Sequence, residues 1–152
     1  MNYIGNDIIS LKYKQNLQSF SNPKYITKVL NKSETIHVKG INLSFLLPLC
    51  WSVKESAYKV FIKTGNNIAF SPRMFNINRI DILKLIQIEN TLKERIIIPG
   101  IKLTAYGIDF YTFSEITREY IHSVSSLKKD DLEKTKRKVK AIKVGSNKSE
   151  EA

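Results

Sequence analysis

The sequence contains few of the residues that hold metal clusters, form disulfides or act as nucleophiles. Its 152 residues include one cysteine and two histidines. The single cysteine, Cys50, cannot form an intrachain disulfide, and its apolar neighbours favour a buried core thiol over a nucleophile. The histidines, His37 and His122, are too few and too far apart in the chain to form a zinc cage. These scarcities exclude zinc-dependent and disulfide-stabilised proteins.

Several common catalytic motifs are also missing. There is no Gly-x-x-x-x-Gly-Lys phosphate loop, no Gly-x-Gly-x-x-Gly turn, no His-Glu-x-x-His motif and no Gly-x-Ser-x-Gly elbow. No apolar run reaches the roughly 18–20 residues that a helix needs to cross a bilayer, and the N-terminus lacks the basic and apolar regions of a secretory signal. We therefore expect a cytoplasmic protein that does not interact with a membrane.

The composition is that of a folded protein with an excess of positive charge. Hydrophobic residues make up 42% and aromatic residues 10% of the chain, which excludes a wholly disordered protein. The formal net charge is +11. A basic protein attracts nucleic acids, nucleotides and acidic proteins alike, so the charge alone does not identify a partner.

The distribution of apolar residues predicts one folded domain over residues 1–126. Residues 127–152 are rich in lysine and poor in apolar side chains, with nine Lys/Arg against five Asp/Glu. Such a segment has little apolar surface to bury in compensation for the entropy lost on ordering. We expect it to be a basic, flexible C-terminal tail.

The hydrophobic patterns predict an α+β fold. Residues 3–11 favour a strand, and Asn22 followed by Pro23 favours the start of a helix that ends near residues 31–32, before a polar connector. A long helix over residues 51–65 should begin close to Pro48, because proline is accommodated in a first helical turn. Runs of β-branched and aromatic residues then predict antiparallel strands over 68–70, 74–77, 80–86, 95–98, 101–106, 108–113 and 120–125. Residues 82–88 also fit a helical period.

The long helix carries charged residues beside its apolar stripe. Trp51, Glu55 and Lys59 share one face at spacings of four. One interpretation is a solvent-exposed Glu–Lys ion pair that contributes about 0.2–0.5 kcal/mol. A second carboxylate, Asp7, lies within the apolar run of residues 4–9. The sequence Gly5-Asn6-Asp7 is itself compatible with a turn, since all three are turn-forming residue types.

Together, the two segments resemble the signature of the 4'-phosphopantetheinyl transferases. In that family a Gly-x-Asp near the N-terminus is followed, some fifty positions later, by an aromatic-x-x-Lys-Glu-[Ala/Ser]-x-x-Lys helix. Here the first motif is Gly5-Asn6-Asp7, and the second is Trp51-Ser-Val-Lys-Glu-Ser-Ala-Tyr-Lys59. The signature helix occurs once, which is similar to the short, single-lobe holo-acyl-carrier-protein synthase type. The resemblance implies an antiparallel sheet packed against a long central helix.

The resemblance also implies an activity and a set of site residues. The expected reaction is magnesium-dependent transfer of the phosphopantetheine arm of coenzyme A to a serine of an apo acyl-carrier protein. Asp7 and Glu55 would be the metal ligands, with Glu55 or a metal-ordered water accepting the serine proton. Lys59 would contact the phosphates, and Lys54 the nucleotide or a phosphate. Short members build their site between subunits, so we expect a homo-oligomer, with a trimer favoured.

Two departures from the family pattern affect this expectation. Ile9 stands where two-lobed members usually have a third acidic ligand, so the metal would depend more on water. Glu115 stands where the family commonly has a histidine, and it is either a third carboxylate of the site or an ordinary surface residue. Two alternatives to the transferase remain. The first is a non-catalytic basic module that binds RNA or the ribosome, although nucleic acid is a less favoured partner than an acyl-carrier protein. The second is a coenzyme A-binding relative without transfer activity.

Overall fold

The computed structural model describes residues 3–12, 22–37, 43–81 and 95–135 of the chain. The order of elements is β1 (Ile4–Ser10), α1 (Lys24–Val29), α2 (Lys32–His37), α3 (Leu43–Lys63), a 3-10 turn (Pro72–Met74), β2 (Asn76–Arg79), β3 (Ile96–Ala105), β4 (Ile108–Ile116) and β5 (Tyr120–Ser126). Residues 129–135 are also helical. The predicted α+β fold, with an antiparallel sheet against a long helix, is confirmed.

The five strands form one antiparallel sheet in the order β1-β5-β4-β3-β2. The N-terminal strand β1 is at one edge and includes Gly5 and Asp7, which lie opposite Ser125 and Ser123 of β5. The interpretation of Gly5-Asn6-Asp7 as a turn is therefore wrong. The predicted runs 95–98 and 101–106 belong to a single strand, β3, whose pairing with β4 is interrupted by a register shift between Ile98 and Ile101.

Helix α3 packs along one face of the sheet and begins earlier than the sequence predicted. It starts at Leu43, so Pro48 lies inside the helix rather than in its first turn. An interior proline removes a backbone hydrogen bond and costs about 3 kcal/mol. The neighbours Leu46, Leu47 and Leu49 are all buried, and each contributes about 1.5–3 kcal/mol on full burial. Apolar burial thus outweighs the local penalty.

Helix α3 and strand β1 approach each other closely at Gly5. A Cβ added at this glycine would lie 2.2 Å from the backbone oxygen of Ser56 and 2.9 Å from the backbone nitrogen of Val60. Real Cβ atoms do not occupy such positions, so the absence of a side chain at Gly5 sets the distance between the two elements. Next to this contact, Ser56 Oγ lies 2.6 Å from Ser125 Oγ, and Ser52 Oγ donates to Ser123 Oγ at 2.8 Å.

Helix α1 packs against α3 and the 3-10 turn, and the Glu34 side chain of α2 contacts Lys54 of α3. The first predicted helix ends at Val29, earlier than expected, and the predicted polar connector contains the short helix α2. The predicted start is one residue too early, because the N-cap is Pro23 rather than Asn22. The Asn22 side-chain oxygen still accepts a hydrogen bond from the Lys24 N–H at 3.0 Å. Residues 68–70 do not form the predicted strand, and the predicted run 80–86 lies outside the described residues beyond Asp81.

The outer face of the sheet, opposite α3, carries a second small core. Phe113 and Val124 pack there with Leu132 of the 129–135 helix, and Leu132 is only 5% exposed. Residues 127–135 were expected to belong to a flexible tail, but residues 129–135 are helical and Leu132 packs against the sheet. Residues 136–152 lie outside the described residues. No helix within the described ranges is long and apolar enough to span a membrane.

Candidate functional site

Strand β1 and helix α3 bring the two predicted carboxylates together. Gly5, Asp7 and Ile9 alternate onto the face of β1 that contacts α3, as shown by the Gly5 contact and by the burial of Ile9 in the main core. Asp7 is 8% exposed. Glu55 lies half-buried on α3, within hydrogen-bonding reach of the Asp7 carboxylate. The close packing at Gly5 therefore places a strand carboxylate against a helix carboxylate.

The environment of the Glu55 carboxyl group disfavours its charged form. Burial raises the pKa of Glu55 above its usual value of 4.5, and the charge of Asp7 raises that pKa further. A hydrogen bond from Trp51 and the charge of Lys59 act in the opposite direction and lower it. Asp7 Oδ2 is a buried oxygen without a hydrogen-bond donor. Two adjacent carboxylates, one with an unsatisfied oxygen, form an arrangement that a cation would stabilise.

Lys59 is positioned one helical turn beyond Glu55, at the edge of this pair. Its Nζ donates to the Asn6 carbonyl oxygen at 2.9 Å and lies 3.5 Å from Asp7 Oδ1. The side chain is 44% exposed, so its ammonium group remains accessible to solvent. The predicted surface ion pair between Glu55 and Lys59 is therefore incomplete, because Lys59 also contacts Asp7 directly. The structure thus brings together Asp7, Glu55 and Lys59.

The structure does not place Lys54 with these residues. Its side chain is fully buried on the side of α3 that faces α1 and α2, and Nζ donates to Glu34 Oε1 and to the Val29 carbonyl oxygen, each at 2.6 Å. Burial lowers the pKa of the Lys54 ammonium, and Glu34 opposes this effect. The position of Lys54 argues against the predicted contact with a nucleotide or phosphate and indicates a structural role.

Glu34 is the partner that the sequence did not connect with Lys54. It is 4% exposed, and its two carboxylate oxygens accept hydrogen bonds from the backbone N–H groups of Asn31 and Ile77, at 2.9 and 2.8 Å. Together with Lys54, it ties α2 to α3 and to the start of β2. The only local signal was the presence of Glu34 in a short polar segment, which does not reveal a partner twenty residues away.

Glu115 is on the wrong side of the sheet to be a third ligand. On β4, Thr112 and Ser114 bond to serines of β5 on the α3 face, so Glu115 points to the outer face. There it is 1% exposed, accepts a hydrogen bond from the Tyr120 hydroxyl at 2.5 Å and lies 3.2 Å from Arg95. Both the third-ligand interpretation and the surface-residue interpretation of Glu115 are therefore wrong.

The predicted core cysteine is confirmed. Cys50 is 2% exposed, and burial raises the pKa of its thiol to about 12, so the thiolate does not form at neutral pH. This excludes Cys50 as the nucleophile of the site.

The residues at the β1–α3 contact fit a hard divalent cation. Within the described part of the chain, no cluster of three or more His, Cys, Asp or Glu side chains could hold a metal. The available set is a pair of carboxylates. Magnesium is commonly bound by one or two carboxylates and completed by water and substrate phosphates. The unsatisfied oxygen of Asp7, beside Glu55, matches this mode of binding, and Lys59 adds a positive charge for the phosphates.

Comparison with known proteins supports the same interpretation. The family model for the 4'-phosphopantetheinyl transferase superfamily matches residues 3–124, which include β1, α3 and the whole sheet up to Val124. No curated protein matches the chain. Members of the superfamily transfer phosphopantetheine from coenzyme A to carrier proteins and generally use a divalent metal. Because the match covers most of the chain, this protein belongs to the 4'-phosphopantetheinyl transferase superfamily.

Proposed function

We propose that this protein is a magnesium-dependent holo-acyl-carrier-protein synthase. It transfers the 4'-phosphopantetheine arm of coenzyme A to a serine of an apo acyl-carrier protein and releases 3',5'-ADP. The observation that carries the proposal is the buried, unsatisfied Oδ2 of Asp7 beside the Glu55 carboxyl group. A pair of carboxylates in this state is held by the fold against their mutual repulsion, which makes a cation site the best explanation of the arrangement.

The chemistry requires stabilisation of negative charge and removal of one proton. The serine oxygen attacks the phosphorus that bears the pantetheine arm, a new phosphodiester bond forms, and the bond to 3',5'-ADP breaks. Magnesium held by Asp7 and Glu55 would neutralise charge on the diphosphate. Lys59 supplies a second positive charge from the adjacent turn of α3. Glu55, or a metal-ordered water, would accept the serine proton.

The proposal includes assembly into a homo-oligomer, with a trimer favoured. The chain has one copy of the signature helix, and Lys59 and Glu55 remain partly exposed at the outer edge of β1. A site that is open on one side can be completed by a neighbouring subunit. Light scattering of the purified protein measures this directly, and a monomer at working concentration would contradict it.

The transfer reaction is tested with purified protein, coenzyme A, magnesium and an apo acyl-carrier protein. Intact mass spectrometry should show one phosphopantetheine added to the carrier, and a chelator should prevent it. Asp7→Asn and Glu55→Gln should each abolish transfer while retaining the fold. Coenzyme A binding without transfer would support the non-catalytic relative, and salt-sensitive RNA binding without carrier modification would support the basic module.

Lys59→Met tests the cationic contact and has a matched control. Methionine keeps much of the packing of the lysine stem but removes its charge, so coenzyme A affinity should fall. Lys63→Met is the control, because Lys63 lies one turn further on the same helix and donates to the Ile4 carbonyl oxygen rather than contacting Asp7. Equal effects of the two substitutions would show that general positive charge, and not the position of Lys59, is responsible.

A further inference from the structure

We propose that Trp51 is a positioning residue that holds the Glu55 carboxylate in the orientation required for metal binding. Its indole N–H would act on the metal indirectly, through Glu55. This inference rests on the proposed function, since it assumes that Asp7 and Glu55 bind the metal. It concerns a different residue, whose contribution can be measured separately from that of the two ligands.

The first observation is the hydrogen bond between Trp51 and Glu55. The two residues are four positions apart on α3, where side chains lie one above the other, and the Trp51 side chain hydrogen-bonds to the Glu55 carboxyl group. An indole nitrogen can only donate. The N–H of Trp51 therefore restrains the orientation of the Glu55 carboxyl group from one turn earlier on the same helix.

The second observation is the packing that fixes the indole ring. Trp51 is half-buried and makes an edge-to-face contact with Phe70, with ring centroids 5.2 Å apart and an interplanar angle of 68°. Phe70 in turn stacks on Tyr58 of α3 at 4.9 Å. The Tyr58 hydroxyl donates to the Ile68 carbonyl oxygen at 2.6 Å, which ties this segment to the helix. The ring of Trp51 thus rests against a constrained aromatic group rather than open solvent.

These two observations separate the role of the N–H from that of the ring. A donor that orients a metal-binding side chain typically changes metal affinity by 10–100-fold when it is removed. Phenylalanine at position 51 would retain an aromatic contact with Phe70 but would have no donor for Glu55. The inference therefore predicts a loss of metal affinity that exceeds any loss of stability.

The experiment compares Mn²⁺ binding by the wild type, Trp51→Phe and Tyr58→Phe. Manganese replaces magnesium as the probe because free Mn²⁺ is quantified by electron paramagnetic resonance, in the presence of coenzyme A and without a carrier protein. Tyr58→Phe is the matched control, since it removes a hydrogen bond from the same aromatic group but leaves Glu55 untouched. We expect Trp51→Phe to weaken Mn²⁺ binding by about 10-fold or more. Tyr58→Phe should keep the Mn²⁺ affinity within about 2-fold of wild type, because the Tyr58 hydroxyl does not contact a metal ligand.

A second readout uses the transfer reaction. The concentration of Mg²⁺ required for half-maximal transfer should rise in Trp51→Phe, while the rate at saturating Mg²⁺ should change much less. If Trp51→Phe does not fold, Phe70→Leu retains the N–H and removes the ring against which Trp51 packs, and it should bind Mn²⁺ more weakly than Tyr58→Phe.

The outcomes distinguish failure of the inference from failure of the proposed function. Wild-type protein that binds Mn²⁺ in an Asp7-dependent manner, with equal affinity in Trp51→Phe, would overturn the role of Trp51 and leave the metal site intact. Equal Mn²⁺ binding by Phe70→Leu and Tyr58→Phe would overturn it in the same way. Wild-type protein without Asp7-dependent Mn²⁺ binding would overturn both.

Discussion

Replacing Lys54 with methionine decides whether its buried ammonium group serves the fold or a ligand. The side chains of Lys54 and Glu34 are 0% and 4% exposed, and the pair is 2.6 Å apart. Methionine fills much of the same volume but leaves the Glu34 carboxylate buried without its cation. Removing one partner of a buried pair costs about 3–5 kcal/mol. Glu34 keeps its two backbone donors, from Asn31 and Ile77, so we expect a value near the lower limit.

Thermal and urea denaturation measure this effect, and a double substitution checks its cause. A loss of about 3 kcal/mol corresponds to a decrease in Tm on the order of 10 °C in a protein of this size. Lys54→Met combined with Glu34→Gln should recover most of the loss, because no uncompensated charge remains. Glu34→Gln alone leaves the ammonium buried. Its stability should rise with pH, because the lowered pKa of Lys54 means that the unfolded chain binds more protons than the folded protein.

The competing role of Lys54 predicts the opposite pattern. A lysine that contacts coenzyme A would, on replacement, leave the Tm unchanged and greatly weaken ligand binding. Lys59→Met provides this reference, since its side chain is 44% exposed and its loss should affect affinity more than stability. A Lys54→Met variant that behaves like Lys59→Met would refute the structural interpretation. Affinity is measured by calorimetry well below the Tm of the variant, so that only folded protein is compared.

Three further predictions concern the other parts of the molecule. Glu55→Gln should abolish transfer. At pH values above the raised pKa of Glu55, the metal-free variant should have a higher Tm than the metal-free wild type, because the wild type loses stability as the pH rises through that pKa. Near pH 4.5 the two Tm values should be the same. Gly5→Ala should destabilise the fold by about 1–3 kcal/mol and lower transfer, because the alanine Cβ would lie 2.2 Å from the backbone oxygen of Ser56. Normal stability of this variant would contradict the close contact. Removal of residues 136–152 should leave Tm and transfer unchanged. Removal of residues 127–152 should lower the Tm, because the loss of buried Leu132 costs about 2–5 kcal/mol of unfolding free energy. Equal Tm values for the two truncations would show that the leucine contact is not significant.

The sequence alone was sufficient for the fold class and for the pair of acidic residues. The β-branched runs after residue 95 predicted β3, β4 and β5, because alternating burial leaves a strong local pattern. Asp7 and Glu55 were linked through two motifs at a characteristic separation, and the structure places them within hydrogen-bonding reach of each other. Cys50 was assigned to the core from its apolar neighbours.

The environment of individual charged residues was decided only by the tertiary structure. Lys54 and Glu55 are consecutive in sequence, yet one is sealed against α1 and α2 and the other faces Asp7. A lysine on a helix is predicted at the surface because burial requires a partner, and Glu34 reaches Lys54 only after α2 has packed on α3. Similarly, strand alternation shows that Glu115 and Ser114 lie on opposite faces, but only the packing of α3 shows which face contains the site.

Close approach and long-range packing were likewise invisible in the sequence. Gly5 resembled a turn residue, since its role depends on the backbone of α3 arriving within contact distance of β1. Leu132 is an isolated apolar residue in a basic segment, which by itself favours disorder. It is ordered because Phe113 and Val124 present an apolar surface on the outer face of the sheet. Local sequence thus predicted the long helix and most of the strands, whereas the distances and faces at which the elements meet determined what each charged or small residue does.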